Sequence, residues 1–431
     1  MNVCLIFQGE FPREERIEKT AKSLAANGHT VYLLCNNYGT YGAREEVFGD
    51  VHVVRVGPAF KNRTVNRIMK FPVFLNPLWI WSLFHATRKL EIDMLQVIDL
   101  PVSPAVLAVG RIYHLPVLYD MWENYPEALR GWARRDWKYL VFKNYNLARA
   151  VEKWVTKRVD HIFTVVEEAR ERLIADGVNP SRVSVVTNGV DLDLFLKTSE
   201  SVGVSFDPDP DAYKLFYVGD ITVERGLDDI VRALTLVRNV VPLVHLYIAG
   251  TGKDLPRLKT IAETEGVSDL VTWLGFLPFD QIHSYVLKSD LCLVPHVYND
   301  FINTTIPNKL FQYMVLRKPV LVSNAKPLAR IVGQCGCGFI FKSGSREDAA
   351  AKIIAAHQAR HDDSYGGRGK VCVEQSYTWE IASRELLRVY RDLTPGAQEG
   401  QMPATAHDAL QTRRAEQTDI GPRIQEGDCS G

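Results

Sequence analysis

Apolar positions along the chain follow two rhythms that take turns. Short β-rich runs, beginning with NVCLIF at residues 2–7, alternate with stretches whose apolar residues recur at helical spacing. In residues 14–27, Ile17, Ala21, Leu24 and Ala25 fall on one helical face, and Gly28 stands where a C′ residue ends a helix. TVYLLC predicts the next strand, and MLQVI, PVLYD, HIFTVV and VSVVTN extend the series. This order predicts a parallel, doubly wound sheet.

The series stops at residues 197–211, KTSESVGVSFDPDPD, a polar, acidic, proline-bearing run that predicts a linker. DPDPD contains two DxD spacings of the kind that hold metals, but prolines between acids in a linker work against a rigid metal site. The rhythm then restarts. KLFYVG, VHLYIAG, VTWLG, LCLVP and PVLVS predict strands, with helices from about Leu227, Leu255, Gln281, Pro307 and Glu347. The chain therefore divides into two α/β halves, residues 1–196 and 213–376, joined by residues 197–212, with no short-period repeat. Residues 377–393 hold a periodic terminal helix, and the polar stretch 394–431 predicts a disordered tail. Ligands of doubly wound sheets bind outside the carboxyl ends of the strands, so two sets of strand ends are expected to face each other across a cleft.

Composition narrows this picture only slightly. The 431 residues are 46% hydrophobic and 24% charged, enough for a full core. Lys+Arg and Asp+Glu are both 51, so no overall charge selects nucleic acid, and any anion site must be local. The seven cysteines, an odd count without CxxC pairs, speak against a disulfide framework or a zinc site and predict core thiols in a reducing compartment. Met1 runs directly into a strand, which predicts no signal peptide. The longest apolar stretch, FPVFLNPLWIWSLF at residues 71–84, is too short for the roughly 20 residues that a bilayer span needs.

Candidate chemistry concentrates in the second half. In TIPNKLFQYMVLRKPVLVS, residues 305–323, Thr304 or Thr305 is the expected N-cap and Pro307 falls in the first turn. The amides of Asn308 and Lys309 then lack helical partners and form an anion site, to which Lys309 adds a charge. Gln312 offers a donor and an acceptor to a diol such as ribose. The plainer reading is a capped helix with solvated Lys309 and Gln312. In VGDITVERGLDDI, residues 218–230, Arg225 either grips phosphate oxygens or pairs with Glu224 or Asp228. In LYIAGTGKDLPRL, Gly250 and Gly252 either admit a ligand or make a tight strand-to-helix turn. In the first half, Asp99 follows MLQVI and faces the cleft, and Gly9 after the first strand leaves room for acceptor or phosphate. NVCLIFQGEFP lacks GxGxxG, which excludes a nicotinamide fingerprint there.

Three segments, VGDITVERGL, LYIAGTGKDLPRLKTIAETEGVSDLVTWLGFLP and PNKLFQYMVLRKPVLVS, resemble in order the retaining nucleotide-sugar glycosyltransferases of family four. FPREERIEKTAKSLAANGHTVYLL, LYDMWENYPE, VSVVTNGVDLDLF and YTWEIASRELLRVYRDL are similar to further family segments, so the resemblance covers roughly residues 1–393. It implies the GT-B fold, two Rossmann-like doubly wound domains, with the terminal helix returning to the first. It implies that Arg225 binds the donor diphosphate, that the amides near Asn308 receive its distal phosphate, and that Gly275, Phe276 and Leu277 read the base. No metal or other cofactor is implied, and transfer retains anomeric configuration.

Two acidic positions of the family differ: Gln312 stands where a Glu binds ribose, and Thr304 where a Glu contacts the sugar. Trp122 replaces a histidine near the anomeric carbon, leaving Asp120 and Glu123 as candidate catalytic residues beside the acceptor-side Asp99 and Trp122. The expected partners are a nucleotide-sugar and a glycan or lipid-linked acceptor. Basic, Trp-bearing stretches at residues 61–70 and 130–158 suit an anionic membrane surface, so a cytoplasmic protein, peripheral at a membrane, is expected. The departures also motivate a second reading, a catalytically weakened nucleotide-sugar-binding or partner subunit. An epimerase on the same fold would need the acid–base residues that are missing.

Overall fold

A computed structural model describes residues 1–12, 14–37, 43–57, 74, 76–132, 144–193, 195, 209 and 211–394. Most of the expected linker, the basic run 61–70, part of 130–158 and the tail from 395 lie outside the described residues. Met1–Val389 form one compact unit that contains both sheets.

The first sheet has eight strands: β1 (Asn2–Phe7), β2 (Thr30–Asn36), β3 (Glu45–Phe48), β4 (Val51–Val56), β5 (Met94–Ile98), β6 (Val117–Met121), β7 (His161–Thr164) and β8 (Val183–Val185). Their order is β3-β4-β2-β1-β5-β6-β7-β8. Strands β9 (Tyr213–Val218), β10 (Val244–Ala249), β11 (Val271–Gly275), β12 (Leu291–Val294), β13 (Val320–Ser323) and β14 (Gly338–Phe341) form the second sheet, ordered β11-β10-β9-β12-β13-β14. Pairing is parallel throughout both sheets except between β3 and β4. Helices cover both faces of such a sheet, so central strands read as unbroken apolar runs. MLQVI of β5 and VLYDM of β6 are buried at every position. Gln96 and Asp120 are the polar exceptions on these strands, and they bond each other, Nε2 to Oδ2 at 3.1 Å.

Strand order reverses between β1 and β5 and again between β9 and β12. Each reversal opens a crevice at the carboxyl ends, because the connections on its two sides leave in opposite directions. Gly9 and Asp99 follow the first pair. Gly219 and His296 follow the second.

Two expectations need correction. Cys335 and Cys372 are joined in a disulfide, with Cα atoms 5.7 Å apart. Their helices, Lys326–Cys335 and Ser364–Ser376, pack together, a proximity that spacing along the chain does not reveal. Cys4, Cys35, Cys292 and Cys337 are buried free thiols, as expected. The helix expected from Pro307 begins at Asn308, with Pro307 as N-cap and no side-chain cap. Thr304 instead ends a short 3-10 turn, Ile302–Thr304, its hydroxyl donating to the Asp300 and Phe301 carbonyls.

The glycines after β9 and β10 serve the backbone itself. Gly219 (φ 140°) and Gly250 (φ 137°) both lie in the left-handed half of backbone space. Gly250 donates to the Gly275 carbonyl at 2.6 Å, and a Cβ on it would collide with the Gly219 carbonyl oxygen. A Gly250→Ala variant is therefore expected to lose about 1–3 kcal/mol of stability from strain alone, read as a lowered urea midpoint with an unchanged m-value.

Candidate active site

The wall built by the second sheet is cationic. After β9 the chain passes Gly219 and Asp220 and makes a 3-10 turn, Val223–Arg225. Gly226 (φ 68°) ends that turn against the Pro295 carbonyl, where a Cβ would collide, so Arg225 is held beside the end of β12. Asp228, one possible partner for Arg225, is taken by Arg257 at 2.9 Å. The Arg225 side chain forms no hydrogen bond or ion pair with the described residues.

The helix Asn308–Val315 is fixed to the end of β9 by Val218 N, which donates to Tyr313 Oη at 3.2 Å. Its first amides precede any intrahelical bond and carry the positive end of the helix dipole. Lys309 is half-buried, with Nζ 4.1 Å over the Tyr217 ring and against Gly219. Burial pushes its ammonium well below the usual lysine range. Arg225 pushes the same way, and Asp220 opposes. His296, directly after β12, is buried, and burial followed by the charges of Arg225 and Lys309 pushes its imidazole well down.

The wall built by the first sheet is acidic around one neutralised cation. Arg16, on the helix Glu15–Ala26, points inward and pairs with Asp120 at 3.0 Å. Its other amino group donates to the Val186 carbonyl at 2.9 Å and to Asn188 Oδ1 at 3.0 Å. Its guanidinium lies 5.9 Å from the Trp122 ring. Glu14 and Glu15 stand at the start of that helix, and Trp122 and Glu123 follow β6. Burial pushes the Glu123 carboxyl up, partly offset by Arg225. Burial and then Glu123 push Glu14 up. Asp99, at φ 60°, accepts from Trp122 N at 3.2 Å, and burial and then Glu123 push its carboxyl well up.

Between the walls lies a cavity of about 510 Å³. Three hydrogen bonds cross its margin: Asn188 Nδ2 to the Ile306 carbonyl at 3.0 Å, Thr305 Oγ1 to the Trp122 carbonyl at 3.3 Å, and Asn308 Nδ2 to Glu15 Oε2 at 3.4 Å. Of the residues expected from the sequence, Arg225, Thr305, Asn308, Trp122 and Glu123 line this cavity. Lys309 and Asp99 sit immediately behind it. Asp120, expected as a catalytic candidate, is 1% exposed and engaged with Arg16 and Gln96, so it supports the wall without facing the cavity.

The remaining expected residues lie elsewhere. Thr304 opens onto a second cavity, of about 500 Å³, with Asn124 and Asn303. Gly9 lies against the Phe7 ring, and Gly250 packs on Gly219. Phe276 is 79% exposed; Leu277 and Gln312 are half-buried and outside the cavity lining. Sequence reasoning missed Arg16, Glu14, Asn188 and His296, which do line it. His296 was findable, because it follows a strand beside an order reversal. Arg16 was findable as a cation on the apolar face that Thr20 and Leu24 continue.

The basic stretch 130–158 uses much of its described charge internally. Arg149 pairs with Glu152 and Asp176, Lys153 with Asp176, and Arg130 with Glu127. Among the described residues, no helix is long and apolar enough to cross a membrane.

Comparison with known proteins agrees with the geometry. Residues 14–194 match Glycosyltransferase Family 4, and residues 204–365 match Glycosyl transferases group 1. Glycogen synthase of Mycobacterium tuberculosis is 21% identical, over 91% of this chain and 94% of the relative. Sucrose-phosphate synthase from Thermosynechococcus elongatus superposes with a TM-score of 0.70 at 15% identity, over 91% of this chain and 98% of that one. HepE of Anabaena, solved with UDP and glucose, gives 0.65 at 14% identity, over 91% and 100%. With two order-reversing sheets, a shared cavity and both halves matched, this chain belongs to the group 1, family four glycosyltransferases and has their GT-B fold.

Proposed function

We propose that this glycosyltransferase moves a sugar from a nucleoside-diphosphate donor to a hydroxyl of a glycan or lipid-linked acceptor, with retention of configuration and without a divalent ion. One observation carries the proposal: Arg225 and the helix start at Pro307 and Asn308 line one side of the cavity, Lys309 stands behind them, and the Arg225 side chain has no hydrogen-bond or ion-pair partner among the described residues. A diphosphate supplies the missing anion. Two cations and a helix terminus then supply the charge that a metal would otherwise bring. The sugar extends toward Glu123 and Glu14, and the acceptor hydroxyl approaches on the face that the diphosphate leaves. The departing diphosphate oxygen takes the acceptor proton on that face, which gives retention.

The direct test is a thermal-shift screen of nucleotide-sugars, since a ligand bound only by the native state stabilises it by mass action. Turnover of the donor found and NMR of the product's anomeric proton follow. A product of inverted configuration, or no stabilisation by any nucleotide-sugar, refutes the proposal.

Lys309 gives a pH signature. Its folded pKa is depressed by burial and then by Arg225. Between that value and the unfolded one the unfolded chain holds more protons, so the fold gains stability as pH rises through the window. Binding has the opposite sign, because a diphosphate beside Lys309 favours the ammonium and draws in a proton. Nucleoside-diphosphate affinity is expected to fall as pH rises above the free-state pKa of Lys309. Calorimetry in buffers of differing ionisation enthalpy should show net proton uptake there, reduced in Lys309→Met.

A further inference from the structure

Among the side chains of the cavity, His296 stands out. It is 1% exposed, and neither Nδ1 nor Nε2 has a hydrogen-bond partner among the described residues. A buried ring with both nitrogens unmatched is costly unless a ligand completes it. The backbone at Gly226 lies directly on Pro295 and His296, and the imidazole borders the same space as Arg225 and Asp220. The groups that bear on it are Arg225 and Lys309, with Asp220 beside them and Glu123 on the opposite wall. Glu224 borders a separate recess with Asp300.

We propose that His296 is a direct ligand of the donor diphosphate and takes up a proton as the diphosphate binds. The assignment rests on the donor reading above and extends it to a residue that the sequence motifs did not include. Burial, and then the charges of Arg225 and Lys309, disfavour the imidazolium in the empty cavity, and the negative charge of a bound diphosphate opposes that bias. One proton enters from solvent with the donor. During transfer the bond from the anomeric carbon to the diphosphate oxygen breaks, and its electron pair stays on that oxygen. The acceptor oxygen forms the new bond to carbon, and its proton passes to the diphosphate. His296 keeps its own proton throughout, donates a hydrogen bond to the charge that develops, and returns the proton to solvent when the product diphosphate leaves.

The test uses the full chain labelled with ¹³C,¹⁵N-histidine, with His296→Asn to assign the resonance. UDP, GDP and ADP are titrated in turn, with Arg225→Ala as the control for the donor site. The expected result is a change of the His296 signal from neutral imidazole to imidazolium with the nucleotide that binds. His296→Phe should weaken that nucleotide about tenfold or more near pH 6.5. The gap should narrow toward about pH 8 as the wild-type ring loses its proton. His296→Asn, a donor that does not titrate, should bind with intermediate affinity and a flatter pH profile. If His296→Phe does not fold, the wild-type resonance decides. A nucleotide that binds in an Arg225-dependent way while His296 stays neutral overturns this assignment and leaves the donor reading standing. No binding by any of the three overturns both.

Discussion

Replacing Arg225 by alanine is expected to lower kcat/KM for sugar transfer by about 10²–10³-fold, the loss typical when one preorganised donor to a developing anion is removed. The melting temperature should hardly move. The Arg225 side chain makes no hydrogen bond or ion pair with the described residues, and the turn that carries it is shaped by Gly226 and by Arg225 N donating to the Thr222 carbonyl at 3.0 Å. Removing its side chain also relieves the like-charge pressure on Lys309 and His296, so the empty protein has reason to tolerate the change. Arg225→Lys should recover only part of the loss, because an ammonium lacks the planar fork that meets two phosphoryl oxygens at once. The measurement is steady-state kinetics beside a melting curve for each variant. A drop in melting temperature that matched the loss of activity would mean that Arg225 holds the fold and not the donor.

Asp120→Ala is expected to do the reverse, costing about 3–5 kcal/mol of stability by leaving the buried Arg16 charge without its counter-ion. The effect should spread, since Arg16 also holds the Val186 carbonyl and Asn188, and Asn188 in turn reaches Ile306 across the cavity margin. Chemical denaturation reads the loss. Asp120→Asn should fall between wild type and alanine, because it keeps an oxygen for Arg16 but not the charge. If Asp120→Ala melts like wild type yet fails in turnover, the carboxylate takes part in chemistry and the supporting role is wrong.

How much the sequence disclosed depended on whether information was local. Strands such as MLQVI and PVLYD were legible because burial on both faces leaves an unbroken apolar run. The β3–β4 pair was passed over. EEVF is largely exposed at the sheet edge, and a four-residue run of that kind has no apolar face to betray it. Arg225 and Asn308 were legible because each adjoins a strand end or a helix start, whereas Trp122 and Glu123 came from the resemblance of LYDMWENYPE; all four line the cavity.

The pairing of Arg16 with Asp120 joins residues far apart in the chain, and the Cys335–Cys372 bridge joins two separate helices. Neither leaves a trace in spacing. Thr304 was matched to a sugar-contacting position by its place in the motif, but the 3-10 turn rotates it away and puts Thr305 in the cavity. One residue of offset is enough to send a side chain to the other side of a turn. Phe276 lies in the loop that the resemblance assigned to the base, and it is exposed in this structure.

The separation of charge between the two walls has a consequence for how cargo enters. With 51 basic and 51 acidic residues the whole molecule offers an approaching dianion no long-range pull. Inside the slot the Arg225 guanidinium and a helix start lie on one side and the Glu14, Glu15 and Glu123 carboxyls on the other. A molecule with one anionic end and one uncharged, hydroxyl-rich end has a single favourable heading there. Turned around, its phosphates would meet Glu14 and Glu123. On the proposed donor reading, that asymmetry settles which way the cargo points before any shape-specific contact has formed.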